Sequence, residues 1–322
     1  MSTRSVIVAT HGHCFDGMAS AVVFTRLFRA LEPTNDPSFT YRACDYGPHW
    51  NGVPEDWLTG DENAILDYRY TAVPKLTWYF DHHRTAFNTE HDRDHFEIQN
   101  GKTRFHDADY SSCTKLIVDI ARERFGLTFP ELDGLVAWAD KIDAARFSDP
   151  AIILARSEPA LQLMTVLFHH GDDRFLAQIV PQLLVTELDE VARSQQVQSL
   201  YAPLGERHNL SVERMRAAAR LHGEVGICDL SEAPIDAVEK FAMYAFFPTA
   251  LYSVILSRTD SQLRISIGFN PWAGKERGHD ISAICKRHGG GGHPVVGAFS
   301  LPPTELERAR GLMNEVVEEL NR

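Results

Sequence analysis

The 322-residue sequence contains no stretch of about 18 uninterrupted apolar residues, so no part of it reads as a membrane span. Its opening, Met1-Ser2-Thr3-Arg4 followed by Val6-Ile7-Val8-Ala9, is too short for a secretory signal. The expectation is a cytoplasmic protein with no membrane partner. Cysteine is sparse, with five scattered residues (Cys14, Cys44, Cys113, Cys228 and Cys285) and no C-x-x-C pair. That pattern suggests neither a disulfide framework nor an all-thiolate zinc site. Positive charge is also short: 32 Lys and Arg stand against 44 Asp and Glu, a net charge of −12. Long duplex nucleic acid is gripped by matching many phosphates with cations, and this chain lacks them. A small anionic substrate is still open, because carboxylates that hold metal ions reverse the local charge. No internal repeat or low-complexity tract is present.

What is present is enough chain for two cores, since single cores rarely grow beyond about 250–300 residues. In the first half, short β-branched or aromatic runs alternate with helical patterns, as in a parallel sheet covered by helices. Val6–Ala9, Asn63–Leu66 and Leu76–Phe80 read as buried strands. Helices are expected over Met18–Leu31, Ser112–Phe125, Leu132–Asp140 and a long stretch from Arg174 to about Leu200. The run Tyr201-Ala202-Pro203-Leu204-Gly205 reads as a break, which gives a first domain over residues 1–200 and a linker over 201–215. The remaining module, 216–322, is expected to carry a helix from about Asp236 to Ala245, strands Leu251–Leu256 and Leu263–Phe269 around a turn at Arg258–Ser261, and a last helix over Thr304–Leu320.

Each of the first three strands runs directly into polar residues: Thr10-His11, Asp67-Tyr68 and Asp81-His82-His83. Ligands of open α/β sheets bind beyond the carboxyl ends of the strands, so one rim collects these side chains. His11-Gly12-His13-Cys14-Phe15-Asp16-Gly17 lies between a strand and a helix, where Asp16 is either a helix cap or a ligand. Asp67 is either a turn residue or a member of the same rim. Asp81-His82-His83-Arg84 is a costly end for an apolar strand unless something pairs with it, which favours function. Asp140, in Trp138-Ala139-Asp140-Lys141-Ile142-Asp143, reads alone as a surface carboxylate beside Lys141. Last comes His288-Gly289-Gly290-Gly291-Gly292-His293, whose glycines free backbone N–H groups to approach an anion, so it reads as a binding loop.

Taken in order, these five motifs resemble the DHH phosphoesterases with a C-terminal DHH-associated domain, nanoRNase and oligoribonuclease-like members included. The best matches are Asp81-His82-His83 and the glycine segment ending at His293. The resemblance implies an α/β fold: a parallel sheet with flanking helices, a smaller C-terminal α/β domain, and an active site in the cleft between them. It implies that Asp67 bridges two manganese ions, with magnesium or another divalent ion as the alternative. Asp16, His82 and Asp140 would complete one site and His11 would serve the other. His83 would face the substrate phosphate, Asp81 would orient a histidine, and Arg258, Gly290, Gly291, Gly292 and His293 would hold substrate phosphate.

The chain departs from the commonest pattern by placing Cys14 where many members have Asp, so a thiolate or His13 becomes a candidate ligand of the His11 ion. The expected reaction is hydrolysis of small nucleotides or short oligonucleotides by metal-activated water. Two other readings are a polyphosphate or phosphoanhydride hydrolase and a nucleotide-binding regulatory module with weakened catalysis.

Overall fold

The computed structural model describes residues 4–34, 36–46, 52–235 and 238–322. Among the described residues no helix is long and apolar enough to cross a membrane. The chain forms two compact units, residues 1–146 with 158–201, and residues 147–157 with 202–322. In chain order the first half comprises β1 (Ser5–His11), α1 (Phe15–Leu31), β2 (Ser38–Cys44), β3 (Glu62–Leu66), β4 (Trp78–Asp81), α2 (Glu90–Glu97), β5 (Arg104–His106), α3 (Cys113–Phe125) and α4 (Asp133–Asp143). There follow α5 (Pro150–Ala155), α6 (Pro159–His170), α7 (Asp173–Leu183), α8 (Leu188–Ala192) and α9 (Gln195–Ala218).

The first unit is a five-stranded sheet in the order β2-β1-β3-β4-β5, parallel throughout. The apolar run of β1 is buried on both faces, as a central parallel strand requires. Helix α1 is buried on nearly every side from Phe15 to Phe28, which fits its mixed apolar and small-residue sequence. Helix α3 starts where Ser112 ends the extended chain: the Ser112 hydroxyl accepts from the Lys115 amide at 3.1 Å, and Gly126 closes the helix in the left-handed region.

Three sequence expectations change. The long helix expected from Arg174 is three helices, interrupted around Leu184–Glu187 and again at Arg193–Ser194. The break expected at Tyr201–Gly205 lies inside α9, which carries Pro203 in its interior. The only bond Pro203 must forgo is the one to the carbonyl four residues earlier, and the rest of this 24-residue helix continues past it. The helix expected from Asp236 shortens to α10 (Ala242–Phe246); Asp236 and Ala237 lie outside the described residues.

The second unit holds a mixed sheet. Beyond α9 come β6 (Ala219–His222), β7 (Val225–Leu230), α10, β8 (Tyr252–Arg258), β9 (Leu263–Phe269), α11 (Ile281–Arg287), β10 (Gly291–His293), β11 (Val296–Leu301) and α12 (Leu306–Leu320). The strand order is β10-β11-β9-β8-β7-β6, with only β7 and β8 parallel. β8 and β9 form the expected hairpin, with Arg258 opposite Leu263 and the Thr259 amide donating to Gln262 at 2.9 Å. Ile265, Ile267, Val254 and Leu256 pack with Met313, Val316 and Val317 of α12 into this unit's core.

Candidate metal centre

In a sheet ordered β2-β1-β3-β4-β5, the chain leaves β1 toward one edge and β3 toward the other, and the carboxyl ends of β1 and β3 border a natural crevice. His11 is the last residue of β1 and Asp67 follows the last residue of β3. Asp81 ends β4, so His82 and His83 emerge one strand further along the same rim. The loop from His11 to Gly17 is held tightly at both ends. The Thr10 hydroxyl donates to the Gly17 carbonyl at 2.7 Å, and a Cβ at Gly17 would meet the His11 carbonyl oxygen at 2.1 Å, so only glycine fits. Asp67 and His13 both adopt positive φ, 53° and 56°, a conformation that costs a non-glycine residue about 1–2 kcal/mol. Strain of this kind clusters at functional sites.

Asp67 is the hub. Its Oδ2 lies 3.5 Å from His11 Nδ1, while its Oδ1 lies 3.5 Å from His82 Nε2 and 3.7 Å from His83 Nδ1. His82 Nε2 also stands 3.8 Å from Asp16 Oδ2 and 3.4 Å from Asp143 Oδ2. These separations are too long for hydrogen bonds, and both Asp67 oxygens, His11 Nδ1 and His82 Nε2 are buried with no hydrogen-bond partner. Buried polar atoms left unpaired cost about 1–3 kcal/mol each, so four of them converging needs a reason. Atoms bound about 2.0–2.3 Å from a shared tetrahedral centre stand roughly 3.3–3.8 Å apart, the spacing found here. The donor set fits divalent cations: His11, Cys14 and Asp67 form one group of candidate ligands, and Asp16, His82 and Asp143 form another beside Asp67.

Surrounding residues orient the donors. His82 Nδ1 lies 3.1 Å from the Tyr110 carbonyl, which can only accept, so the proton sits on Nδ1 and Nε2 is the atom left for a ligand role. Asp16 does not cap α1. Its two oxygens accept from the Cys113 and Thr114 amides, at 2.7 and 3.0 Å, at the start of α3. His83 Nδ1 donates to Asp81 Oδ1 at 2.7 Å, and the Tyr79 hydroxyl donates to the other Asp81 oxygen at 3.0 Å. On the outer side the His11 ring meets Tyr46 edge-on at 4.8 Å.

Without a cation, protons take up the charge. Burial works against a charged His82, yet Asp67, Asp16 and Asp143 outweigh it and raise its pKa to about 10. Burial opposes the charge on His83 as well, and Asp81 and Asp67 raise it to about 9. Burial would raise the Asp67 carboxyl, but the adjacent His11, His82 and His83 hold it below the ordinary carboxylate range. Burial and then Asp67 push Asp143 up to about 6 and Asp16 well above its usual value. Burial, Asp67 and Asp16 likewise raise the Cys14 thiol.

The structure therefore brings His11, Cys14, Asp16, Asp67, His82 and His83 together, with Asp81 behind His83. It does not bring in Asp140. That carboxylate accepts from the Ser111 hydroxyl and pairs with Arg146 at 3.3 Å, while Asp143, one turn later on α4, reaches His82. Sequence reasoning missed Asp143, although Asp140-Lys141-Ile142-Asp143 offered both carboxylates three residues apart. His13 also stands aside: it belongs to none of the groups whose donor atoms converge here, and its Nδ1 is 3.2 Å from the Phe168 carbonyl.

In the second unit, the expected glycine loop is partly an edge strand. Gly291–His293 pairs with Val296–Ala298 of β11, and all three residues of β10 are exposed. Gly292 has φ 152° and a Cβ there would meet the Val296 carbonyl oxygen at 2.3 Å, whereas a Cβ at Gly291 meets nothing within 4 Å. A Cβ at Gly290 would meet the Ala298 carbonyl oxygen at 2.2 Å. Arg258 closes β8, partly buried.

No family model and no curated protein matches this sequence. Solved structures do. The pGpG-specific phosphodiesterase PggH from Vibrio cholerae superposes with a TM-score of 0.67 at 17% identity, covering 98% of this chain and 99% of that one. The DHH domain of a protein described as a member of a ribosomal-protein family gives 0.57 at 13% identity over 99% of this chain and 88% of that one. The fold is the DHH fold. RecJ from Thermus thermophilus, in complex with Mn2+, shares the DHH fold with a TM-score of 0.52 at 13% identity, covering 98% of this chain and 52% of RecJ. The parallel sheet of this DHH fold carries Asp81-His82-His83 at the end of β4, beside the hub at Asp67.

Proposed function

We propose that this chain is a divalent-metal-dependent phosphoesterase acting on small nucleotides or short oligonucleotides, linear dinucleotides first among them. The observation that carries this reading is Asp67, buried and strained, with each unpaired oxygen facing a different group of candidate ligands. The fold it shares with PggH, a pGpG-specific phosphodiesterase, over nearly the full length of both chains supports the choice of substrate. Two divalent ions, which His11, Cys14, Asp16, Asp67, His82 and Asp143 would hold, would supply an activated water and offset the charge of the attacked phosphate.

The chain's own residues do the rest. Asp67 spans the two ligand groups and keeps them in register. Asp16, tied to the first amides of α3, and His82, tied to the Tyr110 carbonyl, are fixed before any ligand arrives. His83, held through Nδ1 by Asp81, keeps Nε2 for donating a proton to the leaving oxygen. Arg258 and the Gly290–His293 segment are assigned to substrate phosphate, since exposed glycine backbone and a cation suit an anion. Purified protein assayed with manganese against a linear dinucleotide, short RNA, adenosine bisphosphate, cyclic dinucleotides and polyphosphate tests the reading. Turnover of a nucleotide substrate that stops with a chelator supports it; no hydrolysis of any of them with bound metal verified contradicts it.

A further inference from the structure

Cys14 occupies a position where oxygen donors would make the centre uniformly hard, and the surrounding geometry gives its sulfur a role. One ligand atom each from His11, Cys14 and Asp67 lies within 4.8 Å of the others. Two of the three are independent pointers to a ligand. Asp67 is 1% exposed and its Oδ2 has no hydrogen-bond partner, and His11 Nδ1, 3.5 Å away, is also buried and unpaired. The neighbouring imidazole that could replace the thiol, His13, belongs to none of the groups whose donor atoms converge here.

We propose that Cys14 is a direct sulfur ligand in a subsite completed by His11 and Asp67, and that this subsite takes a thiophilic divalent cation such as zinc, iron(II) or cobalt(II) in preference to manganese or magnesium. The inference rests on the two-ion reading above and goes beyond it by making the two subsites chemically unequal. The other group, Asp16, Asp67, His82 and Asp143, offers only oxygen and imidazole nitrogen and suits manganese. A thiolate, imidazole and carboxylate set is the kind that zinc and its neighbours prefer. The centre is therefore built for two different metals, with Asp67 common to both.

The test is titration of metal-free protein with Co2+, read by absorption spectroscopy, beside wild-type, Cys14→Ser and Cys14→Asp chains whose melting temperatures are recorded. Wild type is expected to bind two Co2+, one with an intense sulfur-to-cobalt charge-transfer band in the near ultraviolet. Cys14→Ser should lose that band, keep the second ion, and bind Zn2+ at the first subsite at least about 100-fold more weakly, since removing even an outer partner of a metal ligand costs 10–100-fold. Cys14→Asp should reverse the preference, binding two Mn2+ more tightly than wild type does. Two bound Co2+ with no charge-transfer band overturn the sulfur assignment and leave the two-ion reading standing. Failure of the wild type to bind any Co2+, Zn2+ or Mn2+ overturns both. If Cys14→Asp fails to fold, the Cys14→Ser spectrum alone still decides.

Discussion

His83 gives its Nδ1 proton to Oδ1 of Asp81 across 2.7 Å, and Asp81 is fully buried with its second oxygen occupied by Tyr79. This pair sets both the orientation and the charge of the imidazole. Asp81→Asn keeps the shape and removes the charge, so the His83 pKa should fall from about 9 toward the ordinary histidine value. Turnover should drop roughly 10–100-fold, the usual cost of losing a partner that orients a working histidine, with metal content unchanged. NMR titration of the metal-free protein and kinetics of the loaded one check the two halves separately.

The protons that replace cations give the metal-free protein a distinctive pH dependence. His82 and His83 titrate near 10 and 9 when folded and near 6.5 when unfolded. The folded state thus holds more protons than the unfolded state across that window, so stability falls as pH rises. Their stabilising contribution is complete below about pH 6.5 and disappears as pH passes 9 to 10. Asp143, raised only to about 6, is already ionised over this range. Chelator-treated protein should melt progressively lower from pH 7 to pH 10 by calorimetry, and saturating divalent metal should flatten that slope by displacing the protons.

Asp143 and Asp140 share a helix and differ in what they touch. Asp143→Asn removes a carboxylate 3.4 Å from His82 Nε2 and should lower metal affinity and turnover together. Asp140→Asn loosens contacts with Ser111 and Arg146 and should leave the metal content as it is. Elemental analysis of the two purified variants checks this. Equal loss of metal in both would remove the distinction between them.

In the second unit, Gly291 has room for a side chain and Gly292 does not. Gly292→Ala should lower the melting temperature, because it adds both a contact at 2.3 Å and a backbone conformation that L residues rarely adopt. Gly291→Val should leave the melting temperature and metal content near wild type and raise KM. His293→Ala should behave like Gly291→Val. A KM unchanged in both would remove the segment from substrate binding.

The first sheet and most of the rim were legible because strand ends announce themselves. Asn63-Ala64-Ile65-Leu66 followed by Asp67, and Tyr79-Phe80 followed by Asp81-His82-His83, pair an apolar run with an abrupt polar stop. Strand β2 lacked that contrast: Ser38–Cys44 is an edge strand with mixed burial, and it carries no apolar run to mark it. The choice between Asp140 and Asp143 was not legible for a different reason. Both carboxylates lie on one stretch of α4, and only the tertiary placement of Ser111, Arg146 and His82 separates them. Pro203 misled because a proline signals a break locally, whereas the 24 residues of α9 hold the helix through it.

On the proposed function, Asp67 joins two cation sites that together hydrolyse a phosphoester bond. The direct measurement is metal content, by elemental analysis after equilibration with divalent ions, alongside hydrolysis of a linear dinucleotide, for wild type and Asp67→Asn. Asparagine is the appropriate replacement because it tolerates the positive φ of 53° that alanine would strain. Expected are two ions per wild-type chain, loss of bound metal in Asp67→Asn, and hydrolysis reduced by roughly 100-fold or more, with the fold retained by circular dichroism. An Asp67→Asn protein that keeps both ions and cleaves the dinucleotide at the wild-type rate would contradict it.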